Sequence, residues 1–161
     1  MKYLRKFNEG LTQKELKEVR YDLEERLIDI DDLNIKRKDD FLYKIDIYSN
    51  ASSMRDVSIS ETFRIDVRFW KNGDFFSFED FESLKPIFDR LIRTMEPISS
   101  EVKLVISHWD DDENNQYIEM TYDKMIDYLS FKGHVMNVSS DGGGFYYFNR
   151  ITGFKLKFNL K

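Results

Sequence analysis

Three runs of alternating apolar and polar residues set the tightest limit on what this chain can fold into. Phe63, Ile65, Val67 and Phe69 alternate with Arg64, Asp66 and Arg68, and Phe154, Leu156, Phe158 and Leu160 with Lys155 and Lys157. Phe41, Tyr43, Ile45 and Ile47 interleave with Lys44 and Asp46 in the same way. A period of two suits a strand with one face on a core and the other in water, as in antiparallel sheets. Val57 and Ile59 extend the middle run backward, which predicts a long strand from Val57 to Trp70 and a hairpin loop over Ser49 to Asp56. Asn72, Gly73 and Asp74 supply turn residues at its end, glycine giving the positive φ.

Helical spacing accounts for much of the remainder. Thr12-Gln-Lys-Glu15 has the form of a capping box, and Leu16, Val19, Leu23, Leu27 and Ile30 recur behind it, predicting a helix from Thr12 to Ile30. The polar stretch Asp29 to Asp40 reads as a connection. Ser77-Phe-Glu-Asp80 starts a second helix with an apolar stripe through Phe81, Leu84, Phe88, Leu91 and Met95. Pro86 lies inside it, which predicts a kink, or a start near Leu84 with Ser77 to Ser83 as a separate turn. Val102 to His108 reads as a strand, Tyr117 to Met120 as a short one, and Thr121 caps a helix ending at Gly133. Val135 to Val138 and Phe145 to Asn149 read as further extended segments. This order lacks the regular alternation of a doubly wound fold. It predicts an α+β domain with a mostly antiparallel β-sheet and two or three helices packed on one face.

At 161 residues the chain suits one domain, 1–161, with 1–10 a loosely docked N-terminal segment. The absence of cysteine excludes disulfides, thiolate metal sites and a Cys nucleophile. No apolar stretch is long enough to span a bilayer or to follow Met1 to Gly10 as a secretory signal. The 14 Phe, 9 Tyr and 2 Trp look at first like a functional surplus. Most fall on apolar faces, however, Phe41, Phe63, Phe69, Phe81, Phe88, Phe154 and Phe158 among them, so they build the core. Asp74 to Asp123 holds thirteen acids against four bases, which disfavours general nucleic-acid binding and fits a basic partner or simple solubility.

The chemistry-bearing motifs are sparse. Asp110, Asp112 and Asn114 resemble the opening of a calcium loop, but Asn115 stands where the turn glycine belongs and Thr121 where the bidentate Glu belongs, so no metal site is expected. His108 and His134 have no metal-ligand spacing, and no G-x-S-x-G elbow exists, so the chain reads as non-enzymatic, with no catalytic residue and no cofactor. Gly142, Gly143 and Gly144, followed by Tyr146, Tyr147 and Arg150, could converge amides, rings and a guanidinium on a small phosphorylated ligand. A flexible hairpin loop explains the same glycines. On the polar side of the strands, Tyr48, Arg64, Arg68 and Trp70, with Trp109, are the residue types that dominate protein interfaces.

The opening Met1-Lys-Tyr-Leu-Arg-Lys-Phe-Asn-Glu-Gly10 resembles the start of many small proteins of large tailed bacteriophages. The resemblance covers ten residues and implies a phage-encoded protein made in a bacterial cytoplasm. The leading expectation is a protein-binding module that docks an acidic and aromatic surface on a host or defence protein. The alternatives are a virion or assembly component, or a binder or enzyme for a phosphorylated ligand. A homo-oligomer joined through the long strand Val57 to Trp70 is left open.

Overall fold

A computed structural model describes residues 11–38, 40–49, 63–73, 75–109, 114–136 and 151–161. Among them the chain runs α1 (Gln13–Leu27), α2 (Asp29–Arg37), β1 (Phe41–Ser49), β2 (Phe63–Lys71), α3 (Phe78–Met95), β3 (Ser99–Trp109), β4 (Asn115–Thr121), α4 (Tyr122–Met136) and β5 (Ile151–Leu160). The strands form one antiparallel sheet in the order β1-β2-β5-β3-β4. The α+β class read from the sequence is therefore the observed one. Because β5 is antiparallel to both neighbours, β2 and β3 run parallel with α3 between them in sequence, a split β-α-β unit. The last strand of the chain thus occupies the centre of the sheet.

The alternating runs deliver their apolar sides to a single core. Ile65, Val67 and Phe69 of β2, Leu156 and Phe158 of β5, and Leu104 and Ile106 of β3 join Leu23 of α1, Phe88 of α3 and Met125 of α4 in one cluster. Every phenylalanine assigned to the core from its spacing is buried. Phe76, which precedes α3 and lies outside any periodic run, is buried as well and packs edge-on to Phe154 at 4.9 Å. His108 faces the core at 8 % exposure. Gly73 takes its expected positive φ of 78°, in the turn between β2 and α3.

Several boundaries differ from the sequence expectation. The first helix stops at Leu27, and the presumed connection Asp29 to Asp40 contains α2. Ile30 is buried and Leu33 packs on the core, while Asp29, Asp31 and Asp32 occupy the first turn, where the helix dipole favours acids. Pro86 does not interrupt α3. It sits on the exposed side of the helix, as does Glu82, whose carbonyl loses the Pro86 N–H and is left where water can replace it. The helix is secured at its start by a capping box in which the Ser77 N–H donates to Asp80 Oδ2 (2.7 Å) and the Asp80 N–H donates to Ser77 Oγ (3.2 Å). Lys71 Nζ reaches the same carboxylate at 3.2 Å. Gly133 lies inside α4, which continues to Met136 and so replaces the extended start expected at Val135. The remainder of that segment, Phe145 to Asn149, residues 1–10 and the backward extension of β2 to Val57 lie outside the described residues.

Tyr122 ties α4 to α3. Its hydroxyl donates to Asp89 Oδ1 at 2.7 Å, and Lys85 Nζ donates to Asp89 Oδ2 at 2.7 Å. Partial burial opposes ionisation of Asp89, but the bonds from Lys85 and Tyr122 outweigh it and hold the carboxyl below its ordinary range. A carboxyl depressed in the folded state adds stability that is complete above its unfolded value near 4 and is lost as pH falls through the lowered value. Tyr122→Phe should therefore cost about 1 kcal/mol at neutral pH and lose that deficit in acid. Urea titrations at pH 7 and below pH 3 check this; an equal deficit at both would remove the charge-assisted bond from the account.

Candidate functional site: the outer face of the sheet

The side of the sheet away from the core carries the polar half of each alternating run. Strand register lays it out in rows. Asp46, Asp66, Lys157, Lys103 and Thr121 face one another across β1-β2-β5-β3-β4, and beside them run Lys44, Arg68, Lys155, Val105 and Glu119. The next row is Leu42, Trp70, Gly153, Ser107 and Tyr117, and Trp109 lies two residues further along β3.

The charged rows form a lattice of alternating signs. Asp46 and Asp66 oppose each other in register, an arrangement that repels unless cations intervene. Lys44 Nζ lies 2.9 Å from Asp46 Oδ1 and Arg68 Nε 3.2 Å from Oδ2. Arg64 Nε lies 2.9 Å from Asp66 Oδ1 and Lys155 Nζ 3.8 Å from Oδ2. Asp66 is 1 % exposed, yet neither of its oxygens receives a hydrogen bond of good geometry, because the Arg64 N–H direction misses the carboxylate despite the short ion contact. Burial pushes the Lys155 ammonium below its ordinary range, and Asp66 only partly restores it. On the other flank Lys157 and Lys103 converge on Glu119, whose carboxyl the Lys157 hydrogen bond pulls down against the opposing effect of burial.

Tyr48, Arg64 and Arg68 form a compact group. The Arg68 guanidinium donates to the Tyr48 hydroxyl at 2.6 Å, and the Arg64 guanidinium lies 4.6 Å from the Tyr48 ring centroid in a cation–π contact. Trp70 shares their strand face, but Trp109 stands across the sheet on β3, edge-on to Phe75 at 5.4 Å. The structure thus places all five sequence-predicted partner residues on one face, at two separate positions. It also adds two residues that the sequence left out. Leu42 (40 % exposed) and Tyr117 (64 %) join Trp70 (36 %) and Trp109 (41 %) at one end of the face. Asn115 Nδ2 donates to the Tyr117 hydroxyl at 2.8 Å and helps to hold that ring. Gly153 separates Trp70 from Ser107, and no other residue fits there, since an added Cβ would meet the Phe69 carbonyl oxygen at 2.9 Å.

The acidic half of the expected surface is elsewhere. On the outer face Lys44, Arg64, Arg68, Lys103, Lys155 and Lys157 outnumber Asp46, Asp66, Glu101 and Glu119. The acids of the middle segment lie largely on α3 and in the run 110–113, and the latter is outside the described residues together with Gly142, Gly143, Gly144, Tyr146, Tyr147 and Arg150. Among the described residues no group of three or more His, Asp or Glu side chains could hold a metal ion, and no helix is long and apolar enough to cross a membrane. No protein-family model, curated protein or solved structure matches the chain.

Proposed function

We propose that this chain is a non-enzymatic protein-binding module that docks a partner on the outer face of its sheet. One observation carries the reading: Leu42 and Trp70 on one flank and Trp109 and Tyr117 on the other stand exposed at the same end of that face, with only Gly153 and Ser107 between them. Large rings beside a charged rim are what interface hot spots are made of. The cation excess of the neighbouring rows favours a partner that brings an apolar plug with acidic residues around it. A nucleic acid is a poorer fit. A run of phosphates calls for a continuous cationic stripe, whereas the six cations here are interleaved with four carboxylates and the exposed end of the face is apolar. The phage-like opening supports a host or defence protein as the partner, in a bacterial cytoplasm.

Capture from host lysate tests the surface. Trp70→Ala, Tyr117→Ala and Arg68→Glu should each weaken capture of the same protein at least tenfold, as loss of a central hot spot does. Tyr21→Ala, at an exposed ring on α1, should leave it unchanged. Capture that survives all three outer-face substitutions would overturn the assignment.

A further inference from the structure

The edges of the sheet are a feature that the docking face does not use. The register excludes β2 as an oligomerising strand, because β1 and β5 occupy both its sides. Among the described strands the edges are β1 and β4. On β1 the hydrogen-bonding direction is fixed by the Asn72 N–H, which donates to the Asp40 carbonyl at 3.2 Å. Bonding direction alternates along an antiparallel strand, so even-numbered residues of β1 face β2 and odd-numbered ones face outward. The outward groups of Phe41 are already engaged: its N–H donates to Asn34 Oδ1 (2.9 Å) and its carbonyl accepts from Asn34 Nδ2 (3.0 Å). The side-chain amide acts as a one-residue strand that caps this end. Among the described residues, what remains open is the stretch Tyr43, Ile45 and Ile47, centred on Ile45.

The side chains select the same centre. In an antiparallel pairing of β1 with itself about Ile45, Lys44 faces Asp46 of the second copy and Asp46 faces its Lys44. Leu42 faces Tyr48, and Tyr43 faces Ile47. Moving the centre one residue either way sets Lys44 against Lys44 or Asp46 against Asp46 at the axis and joins different residues, with no Lys–Asp cross-pair. It would also be centred on a residue whose backbone groups already serve β2. The hydrogen-bond parity and the charge pattern therefore agree on one register.

We infer that the β1 edge binds a second copy of this chain, forming a two-fold dimer with a continuous sheet across Ile45. Three residue pairs, Tyr43–Ile47, Ile45–Ile45 and Ile47–Tyr43, exchange about six backbone hydrogen bonds. Lys44 and Asp46 sit at the closer, non-hydrogen-bonded positions, where cross-strand charges interact most. Leu42 of one copy then meets Tyr48 of the other, so the two outer faces become one surface. This inference is independent of the docking reading, since it rests on the strand edge rather than on the face.

Analytical ultracentrifugation of the full chain tests it. The wild type is expected to sediment as a concentration-dependent dimer. Lys44→Glu replaces two attractive cross-pairs by two repulsive ones and should weaken the dimer about thirtyfold. Asp46→Lys should do the same. Mixed together the two variants restore every opposite-charge pair, and a heterodimer should form where neither variant dimerises alone. Tyr43→Pro, which removes an outward N–H at an edge position where proline is tolerated, should also give a monomer with unchanged circular dichroism. A wild type that stays monomeric at millimolar concentration overturns the inference. So does a dimer that Lys44→Glu and Tyr43→Pro leave intact.

Discussion

Deleting residues 151–161 is expected to leave a chain that no longer unfolds cooperatively. β5 is the only described strand that joins β2 to β3, so its loss divides the sheet into the pairs β1-β2 and β3-β4. Two-stranded pairs are marginal in water without a shared core. The same deletion removes Ile151, Phe154, Leu156, Phe158 and Leu160, each at most 5 % exposed, from the middle of that core. A single substitution shows the effect in measurable form. Phe158 is fully buried, and Phe158→Ala should cost about 3–5 kcal/mol, a large part of the 5–15 kcal/mol that typically holds a domain folded. Urea unfolding followed by circular dichroism reads both. A truncated chain with a sharp transition and a native-like slope would show that the two halves do not depend on β5.

That dependence is the part of the fold least legible in the sequence. The alternation of Phe154 to Leu160 marks β5 as a half-buried strand, but nothing local says that it inserts between β2 and β3. Its partners are set by which apolar faces remain uncovered once the hairpin partners have paired, a long-range outcome. Local chemistry is far more readable. The capping box at Thr12 and the helix start at Ser77 both form as their spacing indicates. Where local rules misled, burial explains the difference. Asp29 to Asp40 has a linker's polarity, but Ile30 and Leu33 suffice to dock one short helix. Pro86 breaks a rule for helix interiors that matters little on an exposed side.

The candidate site was legible to a similar degree. Alternation identifies the outer face and puts Tyr48, Arg64, Arg68 and Trp70 on it. It cannot bring Leu42 and Tyr117 together with Trp70 and Trp109, because that grouping comes from strand order and register. Nor does it reveal the relation between Asp46 and Asp66, which are twenty residues apart in sequence and directly opposed in the sheet.

Asp66 is where that relation carries the largest energetic consequence outside the core. It is an almost fully buried carboxylate with two cations in contact and no well-formed hydrogen bond, so its desolvation is offset mainly by Arg64 and Lys155. Asp66→Ala would relieve the repulsion with Asp46 but leave those cations on a crowded face without their counter-charge. The expected loss is about 3 kcal/mol, at the lower end for breaking a buried pair because Arg64, 35 % exposed, can turn toward water. Replacing the pair together is a different experiment. Arg64→Met with Asp66→Leu removes the desolvation costs of that pair and fills similar volume. Lys155, the cation left without Asp66, is 24 % exposed and can turn its ammonium to water, so the double variant should fall within about 1 kcal/mol of the wild type. It would also lose the cation over Tyr48 while keeping Leu42, Trp70, Trp109 and Tyr117 in place. Chemical denaturation of the single and double variants separates the two effects. Equal destabilisation by both would mean that Asp66 acts through packing, whereas recovery in the double variant would show that the buried pair adds little net stability and that the loss in Asp66→Ala comes from the cations left without a counter-charge.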